Sequence, residues 1–325
     1  MPKKEGKLIQ TNLIAKKSTG DSIGLFYQVD AFSSEPFLGN PTAIVLDMKS
    51  EYPTELRESI AREMNLSITA FVSDSKKADF KIEYFSPKKE VPLSGHATIA
   101  AVWLLADVGE IESENAKETI KIETKEGIFK TEIQWKNDVL DKVYMTLKKP
   151  QFRDVELNIN SLADILGIRT DKIESDEKLP LVIADTGSPK LLILISSKEM
   201  TDALVPKYDE VERLCRRMKV TGIHLYTFDT YLDGSTCYTR QFEPIRGSPE
   251  TVVSGLANSA LGAYLVKRGF AQPGTLIFEQ GESLDRSSTL EVDIKGTEDE
   301  IKSVRIGGKA KVIFKFEPRK DLFKT

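Results

Sequence analysis

Phe85-Ser86-Pro87-Lys88-Lys89-Glu90-Val91-Pro92-Leu93-Ser94-Gly95-His96-Ala97-Thr98 leads out of a strand-like segment, Phe80 to Phe85, into a Ser-Gly turn and the apolar run Ile99 to Ala106. A helix that starts at this turn is apolar on every side, the pattern of a buried helix. Its first backbone N–H groups have no intrahelical partner, so they and the helix dipole favour an anion. His96 lies in that first turn, where the positive end of the dipole disfavours a second proton. A neutral imidazole beside an anion site is the expectation.

The stretch recurs. Phe85-x-Pro87 and Pro92 match Phe242-x-Pro244 and Pro249 with the same internal spacing. After an insertion of three residues, Ser94-Gly95-x-Ala97-x-x-Ala100 matches Ser254-Gly255-x-Ala257-x-x-Ala260, and each helix reaches a terminal glycine, Gly109 or Gly269. The next strands continue the parallel, Ile122-x-Thr124-x-Glu126-Gly127 against Leu276-x-Phe278-x-Gln280-Gly281. Internal similarity of this extent is the signature of duplication. Two similar α+β halves follow, each presenting a helix N-terminus after a Ser-Gly turn. If the halves face each other, both N-termini meet in one cleft, where ligands usually bind.

Around these copies, alternating residues predict strands at Phe26–Phe32, Thr42–Leu46, Ile120–Thr124 and Gly127–Trp135. Helices are expected behind Pro53, around a cap at Asn160-Ser161 closing at Gly167, and over Tyr208–Met218. The polar stretch Lys136–Lys142 suggests a boundary. The expected organisation is a disordered extension over 1–22, halves over 23–138 and 139–312, and a segment 313–325 that returns to the first half.

Bulk properties exclude several classes. A chain of 325 residues fits two domains of ordinary size. The net charge of −4 carries no bias toward nucleic acid or membranes, and the lysine pairs are scattered without interleaved aromatics. No apolar run approaches a membrane span. Met1 to Ser22 is polar and lacks an apolar core, so no secretory signal is expected. With two cysteines, Cys215 and Cys237, and two histidines, His96 and His224, neither a zinc site nor a multi-histidine centre is expected. No metal and no cofactor are called for, and a reducing, cytoplasmic setting is the default.

Val29-Asp30-Ala31-Phe32, Phe37-x-Gly39-Asn40-Pro41, Ala61-Arg62-Glu63-Met64-Asn65-Leu66-Ser67, Pro92-Leu93-Ser94-Gly95-His96-Ala97-Thr98 and Val304-x-Ile306-Gly307-Gly308 together resemble the PhzF phenazine-biosynthesis family, within the diaminopimelate epimerase-like superfamily. The resemblance runs from about residue 26 to the C-terminus. It implies an α+β fold of two pseudo-symmetric domains, each a mixed, mostly antiparallel sheet wrapped around a central helix. Those helices would start at Gly95 and Gly255, and a homodimer is common in the family. The implied activity is cofactor-independent isomerisation; in the type reaction trans-2,3-dihydro-3-hydroxyanthranilate undergoes a proton shift and tautomerisation.

The resemblance also implies four polar site residues, of which this chain keeps one. The family's acid/base glutamate falls on Ile68, its aspartate on Thr251 and its serine on Leu256, while His96 matches. Isoleucine and leucine cannot transfer a proton, and threonine is far too weak an acid to replace a carboxylate. The facing cysteines of the superfamily's epimerases fall on Ser94 and Ser254. Two readings follow. In one the chain is a diverged isomerase, or a related rearrangement or cyclisation enzyme, acting on a small carboxylate- or carbonyl-bearing molecule. His96 would be its acid/base or hydrogen-bond donor, and Ile68, Ser94, Gly95, Ala97, Thr98, Thr251, Ser254, Gly255, Leu256 and Ala257 would contact substrate. In the other it is a small-molecule binder or dimeric partner protein that has lost the chemistry. Which of Glu243, Glu250 and Tyr238 enters the cleft is left open by the sequence.

Overall fold

The computed structural model describes residues 24–112, 115–174, 177–246 and 248–318. The extension expected over residues 1–22 lies outside them, as does the end of the C-terminal segment. Up to Thr146 the chain runs β1 (Leu25–Ala31), β2 (Asn40–Leu46), α1 (Thr54–Met64), β3 (Thr69–Asp74), β4 (Phe80–Phe85), β5 (Glu90–Val91), α2 (Gly95–Asp107), β6 (Lys117–Thr124), β7 (Gly127–Lys136) and β8 (Val139–Thr146). It continues through β9 (Gln151–Asp154), α3 (Ile159–Leu166), β10 (Val182–Asp185), β11 (Lys190–Leu194), α4 (Lys198–Ala203), α5 (Tyr208–Met218), β12 (Gly222–Thr227), β13 (Cys237–Glu243) and β14 (Ser248–Thr251). Then come α6 (Gly255–Lys267), β15 (Gly274–Gln280), β16 (Ser288–Gly296), β17 (Ile301–Gly308) and β18 (Ala310–Phe316).

The duplication read from the sequence is present strand by strand. β4 runs parallel to β6 across α2, and β13 parallel to β15 across α6. β2 and β3 are parallel, as are β11 and β12. The short strand before each helix pairs antiparallel in the same register, Phe85 opposite Glu90 and Phe242 opposite Glu250. The remaining pairings are antiparallel, which makes the class α+β with a mixed, mostly antiparallel sheet. β8 and β17 join the two sheets edge to edge, with Met145 opposite Ile306. β9 then crosses to pair with β10, and β18 crosses back to pair with β1 as far as Phe316 opposite Phe26.

α2 and α6 sit inside their sheets because no face of either is polar. Every residue of α6 from Gly255 to Val266 is buried, and so is all of α2 from Ala97 to Leu105. Each fully buried leucine or isoleucine there contributes about 1.5–3 kcal/mol. Outside the sheets lie smaller layers. Ile60 and Ala61 of α1 pack on Phe71 and Phe85, while Leu162 of α3 and Leu214 of α5 pack on Ile223 and Leu225. No helix among the described residues is long and apolar enough to cross a membrane.

The two helices start against one side chain. A Cβ on Gly95 would lie 2.7 Å from Ile306 Cδ1, and a Cβ on Gly255 2.6 Å from the same atom. Glycine at both starts is thus the condition for the close approach of the two N-termini. Loops from the other half hold them there: Asn40 Nδ2 donates to the Val253 carbonyl at 2.9 Å, and Arg286 Nε donates to the Gly39 carbonyl at 2.8 Å. Arg286 also pairs with the buried Asp30 carboxylate at 3.0 Å.

The polar stretch Lys136–Lys142 spans the turn between β7 and β8, with Asn137 and Asp138 at φ 52° and 60° in the left-handed conformation that asparagine and aspartate tolerate. One local expectation differs from the structure. The cap of α3 is Asn158, whose side chain accepts from Ser161 N at 3.0 Å.

Candidate active site

Between the starts of α2 and α6 lies a cavity of about 670 Å³. The β4–β5 loop, the segment Asn65–Ile68, and Pro249, Thr251 and Val253–Leu256 form much of its walls. Ser94 is the residue before α2 and Ser254 the residue before α6, and the first turns are built alike. Thr98 Oγ1 donates to the Ser94 carbonyl at 2.7 Å, and Asn258 Nδ2 to the Ser254 carbonyl at 3.0 Å. Ser254 Oγ caps its helix by accepting from Ala257 N at 3.3 Å. Ser94 Oγ instead lies 3.3 Å from His96 Nδ1.

His96 lines this cavity, and its Nε2 is shielded from solvent with no hydrogen-bond partner among the described residues. Burial pushes the ring down to about 4, against the pull of the Glu243 charge toward the protonated form. At neutral pH the side chain is therefore an uncharged imidazole with one N–H and one lone pair. Leu256 holds the matching position on α6, so the imidazole has no polar counterpart at the start of that helix.

Eight sequence-predicted residues line the cavity together: Ile68, Ser94, Gly95 and His96 from the first half, and Thr251, Ser254, Gly255 and Leu256 from the second. Ala97, Thr98 and Ala257, also expected to touch substrate, are not among the residues that line it. All three are fully buried within their helices, and Thr98 is bonded to Tyr84 and to the Ser94 carbonyl. The apolar packing that buries each helix takes the side chains from its third residue onward, Ala97–Leu105 in α2 and Ala257–Val266 in α6.

Glu243 is what the family pattern did not anticipate. It ends β13, occupies the x of the second Phe-x-Pro copy where the first has Ser86, and lines the cavity while only 6% exposed. Lys190, 1% exposed on β11, is ion-paired to Glu243 Oε1. Its Nζ also donates to Thr221 Oγ1 at 2.6 Å, and Thr221 is bonded in turn to Ser188 at 2.8 Å. Thr251 Oγ1 donates to Glu243 Oε2 at 3.2 Å. The other two open candidates are engaged elsewhere. Both Glu250 oxygens accept from Arg240 at 2.8 Å, and Tyr238 donates to Asp202.

Thiolate chemistry has no place here. Burial pushes the Cys215 thiol up to about 11 and that of Cys237 well above its ordinary range. Among the described residues no three His, Cys, Asp or Glu side chains group as metal ligands.

The two histidines, His224 fully buried and His96 with its Nε2 shielded, set a pH dependence of stability. His96 is depressed to about 4 and His224 to about 3, both chiefly by burial. Below pH 6.5 the unfolded chain binds protons that the folded chain refuses, so stability falls as pH drops from 6.5 toward the folded-state values. Each histidine removes at most about 1.4 kcal/mol per pH unit in that window. Urea midpoints of wild type and His224→Gln, compared at pH 7.5 and 5, are expected to converge on acidification. A constant gap would remove His224 from the effect.

Residues 29–315 match the phenazine biosynthesis-like protein family, PhzC-PhzF. The chain is 33% identical over 299 residues to an uncharacterized isomerase of Clostridium acetobutylicum, covering 90% of this chain and 96% of that one. It superposes on a PhzF-family phenazine biosynthesis protein of Bacillus anthracis with a TM-score of 0.82 at 28% identity, over 92% and 100% of the two chains. A hydroxyproline epimerase of Agrobacterium vitis shares the fold at a TM-score of 0.58 and 14% identity, over 91% and 90%.

Proposed function

The chain belongs to the phenazine biosynthesis-like protein family, and from that premise we propose that it is a cofactor-independent isomerase that moves a proton within a small carboxylate- or carbonyl-bearing molecule. The substrate's anionic group sits at the N-termini of α2 and α6, whose unpaired N–H groups stabilise charge that develops on an enolate oxygen. Ile68 and Leu256 hold its apolar part. His96 acts as acid/base or as hydrogen-bond donor. A cavity of about 670 Å³ is in the range of small-molecule sites.

The observation that carries this reading is the uncharged imidazole of His96, its Nε2 without a hydrogen-bond partner among the described residues, on the wall of a cavity flanked by two helix starts. A binder without chemistry needs no ionisable group there, whereas His96 and Glu243, from opposite halves, both line the cleft. The family resemblance extends the reading to a homodimer, and two buried free cysteines suit a reducing cytoplasm.

The test follows proton movement by NMR in D2O. The protein is incubated with trans-2,3-dihydro-3-hydroxyanthranilate and with a set of cyclic amino and keto acids. Isomerisation or deuterium incorporation into at least one is expected, reduced about 10²–10⁴-fold in His96→Ala. Unchanged turnover in that variant overturns the role of His96.

A further inference from the structure

We infer that Glu243 is the proton-transfer carboxylate of this cleft, supplied by the second half of the chain and held ionised and in place by Lys190, an assignment that rests on the isomerase reading above. Three observations carry it. Glu243 is on the cavity wall although its residue is nearly inaccessible to bulk solvent. Each of its oxygens is fixed by a donor, Oε1 by Lys190 and Oε2 by Thr251. Lys190 is itself buried and braced by Thr221, so its charge has no route to water and faces Glu243.

A buried ion pair is a poor stabilising device, because a well-packed apolar pair of similar volume usually serves as well or better. At the wall of a ligand cavity the same pair has a use. It presents an oriented carboxylate that stays ionised and has little hydration to shed before it meets the substrate. Glu243 takes a proton from a carbon next to the substrate's carboxyl or carbonyl group. The C–H electron pair moves into the conjugated system as an enolate, whose charge faces the helix N-termini. The resulting carboxylic acid returns the proton to another carbon of that system, while the neutral ring of His96 donates its N–H to the substrate. One proton leaves and one arrives, and Glu243 ends as it began.

Among the described residues, titratable groups that face Glu243 include Lys190 on β11, His96 on α2, His224 on β12 and Cys215 on α5. Both histidines and the cysteine are uncharged at neutral pH, whereas the paired Lys190 is a cation that favours the ionised form of Glu243. Lys190 is a positioning residue, and its removal should raise the pH at which Glu243 acts.

The test uses trans-3-phenylglycidate, an epoxide bearing a carboxylate. A catalytic carboxylate opens the ring to form a hydroxy ester, the C–O bond of the epoxide breaking and solvent protonating the new alkoxide. Peptide mass mapping is expected to place the ester on Glu243. In Lys190→Met the pH profile of labelling should move up by about 1–3 units. The paired variant Lys190→Met/Glu243→Gln leaves no buried charge and should fold, with labelling at least 100-fold slower. Labelling at another residue, no labelling of folded wild type, or an unshifted profile in Lys190→Met overturns the assignment. Because labelling requires no turnover, an unlabelled Glu243 beside His96-dependent deuterium exchange defeats this inference and leaves the isomerase reading standing. A labelled Glu243 with no exchange in any substrate defeats the isomerase reading instead.

Discussion

Glu243→Ala is expected to lower the unfolding free energy by about 3–5 kcal/mol, among the largest effects of any single substitution in the chain. The cost arises less from the lost attraction than from what remains. Lys190 is 1% exposed, and without Glu243 its ammonium loses the carboxylate that faces it, while the Thr221 hydroxyl is neutral. A buried ammonium without a counter-charge either stays charged at high cost or gives up its proton. Lys190→Met should be milder, since the remaining carboxylate can protonate and still accept from Thr251. Lys190→Met/Glu243→Leu removes both charges and should recover most of the loss. Urea unfolding of wild type, Lys190→Met, Glu243→Leu and Lys190→Met/Glu243→Leu forms a double-mutant cycle. A cost below about 1 kcal/mol for Glu243→Ala would mean that water reaches the pair, contrary to its burial.

The same pair explains why the fold was legible in the sequence and the site only partly so. The duplication could be read because its signals are local. An apolar run on all helix faces, a Ser-Gly start and a closing glycine each occupy a few adjacent residues, and each recurs. Nothing local announces that Lys190 meets Glu243. They are 53 residues apart and are brought together by the parallel pairing of β11 with β12 and the antiparallel pairing of β12 with β13. Reading the site through the family pattern pointed instead to residues 68, 251 and 256, and found their polar groups gone. In the structure, two of these replacements have a physical sense. The Thr251 hydroxyl donates to Glu243, where an aspartate would set carboxylate against carboxylate. Leu256 occupies on α6 the place that His96 occupies on α2. For Ile68 the structure gives only an apolar wall. Ala97, Thr98 and Ala257, which the motif also placed in the site, stay off the cavity wall for one reason. A motif written as a string counts every letter as part of the site, but helix geometry turns those side chains into the core.

Ile306 provides the second large effect, because it is the point on which both halves close. It is fully buried on β17, opposite Met145, and its Cδ1 approaches the starts of both central helices. Ile306→Ala should cost about 2–5 kcal/mol, and Ile306→Val, which removes only Cδ1, about 0.5–1.5 kcal/mol. The diagnostic variant is Gly255→Ala. Alanine is ordinarily the better helix former by as much as about 1 kcal/mol, so helix propensity alone predicts no loss. Its Cβ, however, would fall 2.6 Å from Ile306 Cδ1, and overpacking of this kind costs about 1–3 kcal/mol. In the Ile306→Val background the clashing methyl is absent, and Gly255→Ala should become close to neutral. Gly95→Ala should behave in the same way, because its Cβ would contest the same methyl at 2.7 Å. A coupling of at least about 1 kcal/mol in each cycle, measured by urea unfolding, is the expected result. Coupling below about 0.5 kcal/mol at both glycines would mean that the helix starts can separate freely. The cleft would then owe its shape to the loop contacts at Asn40 and Arg286 rather than to the glycines.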